Sequence, residues 1–180
     1  IERLRSRLPD FAVTTDIIAG FPGETEAQFQ NTLDFCRALA FSKVHVFPYS
    51  RRTGTLADRM GGHLAADVIA ERSARLVELS DALSRAYHER WLGRTVKVLV
   101  ECKAGELDPL GGEGEWARSV AAAPGGTRQG LTEHYVRVHF PGGAELERQF
   151  AMVRVTRARA DGVEGALAAP AASETPVGVR

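Results

Sequence analysis

Cysteine is nearly missing from this chain: Cys36 and Cys102 are the only two in 180 residues, far apart, with no second cysteine or histidine at ligand spacing. Neither a disulfide framework nor a closed metal site is indicated. Net charge is missing as well, because 23 Lys+Arg balance 23 Asp+Glu. Bulk electrostatics therefore attract neither nucleic acid nor an anionic membrane, and such a contact must come from a local patch. No apolar run approaches the ~20 residues needed to cross a bilayer. The opening Ile1-Glu2-Arg3-Leu4-Arg5 reads as neither a signal nor a transit peptide, so the cytoplasm is the expected compartment. The five histidines show no paired metal spacing, and a metalloenzyme or hydrolase has no support.

What the chain does have is enough apolar content, 44% hydrophobic against 26% charged, to bury one good core or two small ones. It lacks an initiating Met and opens inside a helical pattern, so it is expected to be a fragment. Two halves with different periods meet near Trp91-Leu92-Gly93. In the first, Ile1, Leu4 and Leu8 predict a helix stopped by Pro9-Asp10. Phe11 to Phe21 then reads as a parallel strand covered on both faces. Thr25 with Gln28 forms a capping box, and Phe29, Leu33, Cys36 and Leu39 are the inner stripe of a helix reaching Ala40. Lys43 to Phe47 is a second strand, giving a βαβ unit and an α/β architecture. A polar loop, Tyr49 to Gly62, follows at the C-terminal end of that strand, where α/β barrels place ligand contacts. His63 to Trp91 is a long amphipathic helix with Leu64, Val68, Leu76, Leu79, Leu83 and Tyr87 on one face.

From Arg94 the period is two. Strands are predicted around Val96-Val100, Trp116 to Ala122, Thr132 to Phe140 and Phe150 to Ala158, separated by Gly and Pro clusters. The sum is a small antiparallel all-β barrel. The Ala- and Pro-rich tail beyond Leu167 is expected to be disordered. The expected domains are 1–92, 93–168 and a tail of 169–180.

Two segments bear on chemistry. Gly20-Phe21-Pro22-Gly23-Glu24-Thr25 has neither the Lys of a nucleotide phosphate loop nor dinucleotide spacing. It is either a plain tight turn or a glycine turn that offers free N–H groups to a ligand. Pro48-Tyr49-Ser50-Arg51-Arg52-Thr53-Gly54-Thr55 concentrates hydroxyls and guanidinium groups, suited to a carboxylate, a phosphate or a base face, or else simply solvated. Cys36 sits on an apolar stripe and Cys102 at a strand end; both read as inert thiols. In Thr132 to Phe140, alternation sets Glu133, Tyr135, Arg137 and His139 on one outward face, where Tyr135 can stack on an unpaired base and Arg137 can neutralise a phosphate. Lys97, Arg118, Arg128, Arg154 and Arg157 extend that surface. Ten Lys+Arg against eight Asp+Glu between Trp91 and Ala160 make it only mildly basic.

The motifs Thr15-Asp16-Ile17-Ile18-Ala19-Gly20-Phe21-Pro22-Gly23-Glu24-Thr25, Val44-His45-Val46-Phe47-Pro48-Tyr49-Ser50, then Arg52, Gly54-Thr55 and Ala57, resemble the second half of the radical-SAM barrel in the methylthiotransferase family. Val98-Leu99-Val100-Glu101 and Gly130-Leu131-Thr132-Glu133-His134-Tyr135-Val136-Arg137-Val138 resemble the TRAM domain that follows it. The nearest pattern is the MtaB type, acting on threonylcarbamoyladenosine beside the tRNA anticodon. A sister type acts on isopentenyladenosine or a ribosomal protein.

The resemblance implies the C-terminal part of an open radical-SAM barrel followed by an RNA-binding barrel. It implies S-adenosylmethionine and two [4Fe-4S] clusters in the full-length enzyme. The six cluster cysteines are not in this chain, so it is expected to be inactive alone and to need the remaining N-terminal portion. It also implies Ile18, Gly20, Gly23, Glu24, Val46 and Phe47 in the S-adenosylmethionine pocket, and a tRNA anticodon stem-loop as partner. Arg52 is the candidate for substrate or for the cofactor carboxylate, and Tyr135 and Arg137 for tRNA. No membrane partner is expected. A non-catalytic RNA-binding module is the reading from another class.

Overall fold

A computed structural model describes residues 1–103 and 126–168. The expected strand at Trp116 to Ala122, Arg118 and the expected disordered tail lie outside the described residues, as does the side chain of Cys102. The chain divides into two compact units, Ile1–Tyr87 and His88–Arg180. That division falls a few residues before the change of period.

The first unit runs α1 (Glu2–Arg5), β1 (Thr14–Ala19), α2 (Glu26–Leu39), β2 (Lys43–Pro48), α3 (Leu56–Arg59) and α4 (Ala66–Glu89), whose last two residues belong to the second unit. The expected first helix is cut to a single turn, with Arg5 donating to the carbonyl of Ala40 at 2.9 Å. α2 starts where local chemistry predicts. The Thr25 hydroxyl accepts from the Gln28 N–H at 3.2 Å, and the Gln28 side chain accepts from the Thr25 N–H at 2.9 Å. β1 and β2 pair in parallel, with Asp16 opposite His45 and Ile18 opposite Phe47.

Alternation then sorts the side chains. Ile17, Ala19 and Val46 pack with Phe29 and Leu33 of α2 and Leu76 of α4, whereas Asp16, Ile18, His45 and Phe47 point away and are exposed. The expectation of a sheet covered on both faces is therefore corrected: among the described residues, helices cover one face only. The free edge of β2 is closed by hydroxyls of α4. Ser80 donates to the Val44 carbonyl at 2.9 Å and accepts from the Val44 N–H at 3.1 Å, and Ser84 donates to the Ser42 carbonyl at 2.8 Å. Polar residues on the buried stripe of α4 thus satisfy backbone groups that would otherwise be orphaned.

The second unit is a closed barrel of β3 (Thr95–Lys103), β4 (Thr127–Leu131), β5 (Arg137–Pro141), β6 (Phe150–Ala158) and β7 (Val163–Leu167), in the ring order β3-β4-β5-β7-β6. Its core is the inward set of alternate residues: Val98 and Val100, Val138 and Phe140, Val153 and Val155. The barrel is not wholly antiparallel as expected, because β5 and β7 pair in parallel. The reason is topological. Direction cannot alternate all the way around a ring with an odd number of strands, so at least one pair must run the same way. Gly130 marks a tight crossing, since a Cβ there would lie 2.1 Å from the carbonyl oxygen of Leu99.

The predicted strand Thr132 to Phe140 is also corrected. Its first half is the turn of a hairpin: the Tyr135 N–H donates to the Thr132 carbonyl at 3.0 Å, the Val136 N–H to the Thr132 hydroxyl at 3.1 Å, and Tyr135 sits at φ +58. Thr132 is a side chain that competes for backbone donors and so folds the strand back. His139, expected outward, is buried at 3% exposure. Arg128, expected to extend an RNA surface, is buried at 7%, with its guanidinium donating to the Gly143 carbonyl at 3.0 Å and paired with Glu147 at 3.0 Å.

Burial pushes the His139 imidazole down to about 4, against a raising influence from Asp161 and smaller lowering ones from Arg137 and Arg159. A histidine depressed in the folded state favours folding above its unfolded value, near 6.5, and loses that contribution as pH falls toward about 4. The whole shift corresponds to roughly 3 kcal/mol. Urea titrations of the barrel should show stability declining between those pH values, and His139→Leu should flatten the decline; a variant with the same pH dependence as the parent would assign the decline to another group.

Candidate functional site

In the first unit, the ends of β1 and β2 carry the turn that the sequence singles out. Gly20 and Gly23 both lie at positive φ, +78 and +81, which a glycine adopts without penalty. Gly20 also has no room for a side chain, since a Cβ would stand 2.6 Å from Cγ1 of Ile69. Three N–H groups of this turn are already engaged within the chain. Gly20 donates to the Glu24 carboxylate at 3.0 Å, Gly23 to the Gly62 carbonyl at 2.8 Å, and Glu24 to the Phe21 carbonyl at 2.9 Å.

Arg72, on α4, fastens the same turn. Its guanidinium donates to the Glu24 carboxylate at 2.7 Å and to the Glu24 carbonyl at 2.9 Å, reaches Glu26 at 3.3 Å, and stacks on the Phe29 ring at 5.2 Å. The arginine side chain is 5% exposed and that of Glu24 16%. Glu24, expected in a pocket wall, thus holds the turn in shape. Sequence reasoning missed Arg72. The signal was a charge set on the apolar stripe of α4 between Val68 and Leu76.

Ile18 and Phe47 stand opposite each other on the uncovered sheet face, about half exposed, next to the turn. Val46 is turned to the helix side, so its side chain does not join them. Beyond β2, Tyr49 extends the pairing through its N–H to the Ala19 carbonyl at 2.8 Å, and its ring meets Phe21 at 5.5 Å and His63 at 5.9 Å. The following loop separates its two arginines. Arg51 pairs with Asp58 at 2.5 Å, and Asp58 also accepts from the Gly54 N–H at 3.2 Å. The Arg51 hydrogen bond, and then that of Gly54, hold the Asp58 carboxyl below its ordinary value. Arg52 is exposed, and its guanidinium has no partner among the described residues. Arg51 is therefore a brace and Arg52 an available cation.

In the barrel, an open groove of about 450 Å³ runs over the outer face and is lined by Lys97, Leu99, Glu101, Glu133, Tyr135 and Phe150, among others. β3 contributes alternate outward residues, and β6 sets Phe150 opposite Leu99 and Met152 opposite Lys97. The Lys97 ammonium lies 4.2 Å from the centre of the Phe150 ring. Tyr135, at the hairpin tip, is 82% exposed and Phe150 64%. The positive φ of Tyr135 lifts it off the strand, so it joins this groove, whereas Arg137 is half-buried in β5 and does not line it. Lys97 and Phe150 replace Arg137 as companions of the tyrosine. Phe150 was legible only as the start of a strand. Among the described residues, no group of three or more His, Cys, Asp or Glu is placed to hold a metal ion.

Fold and site together define a mixed α/β chain whose βαβ unit leaves one sheet face open and is followed by a closed five-stranded barrel bearing a groove lined by aromatic side chains, a lysine and two carboxylates. Similarity to known proteins is more particular. The chain is 44% identical over 129 residues to the tRNA-2-methylthio-N(6)-dimethylallyladenosine synthase of Mycobacterium sp. (strain MCS), covering 69% of this chain and 25% of that protein. It is 48% identical over 108 residues to the synthase of the same name from Clavibacter michiganensis subsp. michiganensis, 60% of this chain and 20% of that one. With the Frankia alni synthase the identity is 42% over 146 residues, 81% and 27% of the two chains. Each aligned stretch is longer than either compact unit, so each takes in residues of both. The chain spans about a quarter of the length of these relatives. No family model matches the chain. Among the described residues, no helix is long and apolar enough to cross a membrane.

Proposed function

We propose that the chain is the C-terminal part of a radical-SAM tRNA methylthiotransferase, in which the βαβ unit forms one wall of the S-adenosylmethionine pocket and the barrel binds the tRNA anticodon stem-loop. The observation that carries this reading is the 44% identity over 129 residues to a protein named for methylthio-modified dimethylallyladenosine in tRNA. That name favours the isopentenyladenosine sister type over the threonylcarbamoyladenosine type that the motifs resemble. We take the former as the substrate.

Ile18 and Phe47 fit the flat, apolar face of an adenine, being exposed cross-strand partners on the uncovered sheet face. Gly20 and Gly23 form the adjoining turn, held by Glu24 and Arg72, and nothing lies within 4 Å of where a Gly23 Cβ would be. Arg52 supplies a cation for the cofactor carboxylate or the tRNA. S-adenosylmethionine, when bound in the whole enzyme, supplies both the radical and the methyl group. The chain's two cysteines are fewer than the three that one such cluster takes by the resemblance, and Cys36, on the inner face of α2, is buried against Val44 of β2 and Leu79 and Leu83 of α4. On this reading the clusters are held by the rest of the longer protein.

The test is binding of the chain to an unmodified anticodon stem-loop by fluorescence anisotropy across a salt series, with a scrambled hairpin as control. Salt-sensitive preference for the stem-loop supports the reading, and equal binding or none overturns it. Substrate choice is decided with the longer protein: methylthiolation of tRNA carrying N(6)-dimethylallyladenosine, but not of tRNA carrying threonylcarbamoyladenosine, is expected.

A further inference from the structure

The geometry points to a base preference in the barrel groove: it takes an unpaired nucleobase bearing an exocyclic amine, such as cytosine, in preference to uracil. This rests on the reading that the barrel binds RNA. A volume of about 450 Å³ accommodates a nucleotide. Its chemistry is unequal from end to end. Tyr135 and Phe150 are the exposed aromatic surfaces on which a base stacks. Lys97 stands over Phe150, and Arg154 follows on the same outward face of β6, opposite Thr95. These cations suit a phosphate.

Glu101 and Glu133 line the groove as well. An ionised carboxylate accepts hydrogen bonds and donates none. It repels phosphate, and it pairs with the amine of a base but opposes the O4 carbonyl that uracil carries in the same place. Glu133 has one neighbour of note, His134, whose Nε2 lies 3.7 Å from its carboxylate, and its side chain remains 85% exposed. The Thr132 hydroxyl already accepts from the His134 and Val136 N–H groups, which occupies its lone pairs and leaves the carboxylates to accept from the amine of a base. Stacking and phosphate contacts are the same for the two pyrimidines, so the carboxylates decide between them.

Short oligocytidine and oligouridine carry equal charge and separate this preference from general affinity. Fluorescence anisotropy with this chain near neutral pH should show oligocytidine bound roughly tenfold tighter. Glu101→Gln combined with Glu133→Gln should bring the ratio close to one without weakening oligouridine. Both side chains are exposed, so the fold should be unchanged by circular dichroism. Equal affinities in the parent chain, or a preference that survives the double substitution, would overturn the inference. The anticodon stem-loop is measured in parallel. Retained stem-loop binding with equal oligonucleotide affinities removes only the base preference, whereas loss of all three removes the RNA reading as well.

Discussion

Arg72→Met is expected to destabilise the first unit by about 3–5 kcal/mol, the cost of breaking a buried ion pair from one side. The guanidinium is 5% exposed and makes two hydrogen bonds to Glu24 alone, one to the carboxylate and one to the carbonyl. Without it the Glu24 carboxylate, only 16% exposed, keeps the Gly20 N–H and loses its counter-charge. Gly20 cannot adjust, because its φ is +78 and the Ile69 side chain fills the space beside it. Arg72→Lys should recover little, since one ammonium cannot reproduce a fork that spans Glu24 and Glu26. Arg72→Met with Glu24→Gln should cost less than Arg72→Met alone, because no buried charge is then left unpaired. The longer helices begin in the first unit, so urea unfolding followed at 222 nm should move to lower denaturant. Unchanged unfolding at 222 nm would show the pair to be incidental.

The parts of this fold that were legible in the sequence are those fixed by neighbours along the chain. The Thr25 and Gln28 capping box, the Phe29-Leu33-Cys36 stripe and the parallel βαβ unit all appear as predicted, because each depends on residues a turn or a strand apart. The barrel was read less well because its strands are fixed by partners. β4 carries Thr127, Arg128 and Gln129, all buried, with no apolar alternation to announce a strand. Their burial comes from pairing with β3 and β5 and from the Glu147 and Gly143 groups that satisfy Arg128. The Thr132 to Phe140 segment erred the other way. Its alternation is unbroken, yet one threonine hydroxyl accepting from Val136 turns it into a hairpin. The candidate sites divide similarly. Ile18 and Phe47 emerge side by side, Val46 faces the helices, and Arg72 and Phe150 became visible only once distant elements were brought together. Substrate type lay furthest from the residues: the motifs resemble one methylthiotransferase type, and the relatives carry the name of another.

Tyr135→Asn combined with Phe150→Ala should weaken stem-loop binding by roughly thirtyfold or more, at ~1–3 kcal/mol for each stacked base. Asparagine is chosen because Tyr135 sits at φ +58, a conformation that asparagine tolerates well. Phe150 is 64% exposed, so its loss should leave the barrel folded. The two aromatics carry no charge, and the slope of affinity against salt should be unaltered. Lys97→Gln with Arg154→Gln should behave in the opposite way. It should lower the slope by about two phosphate contacts and preserve the cytidine preference, because the carboxylates stay in place. Arg137→Ala should change neither quantity, since Arg137 is half-buried on β5, whereas Phe150 and Arg154 share the outward face of β6, which is not its neighbour in the ring. If the aromatic pair proves neutral while Arg137 is sensitive, RNA lies across β5 and not over β3 and β6. A groove in which both pairs matter, each with its own salt signature, reads the base with rings and carboxylates and the backbone with cations, on a barrel whose net charge alone would attract neither.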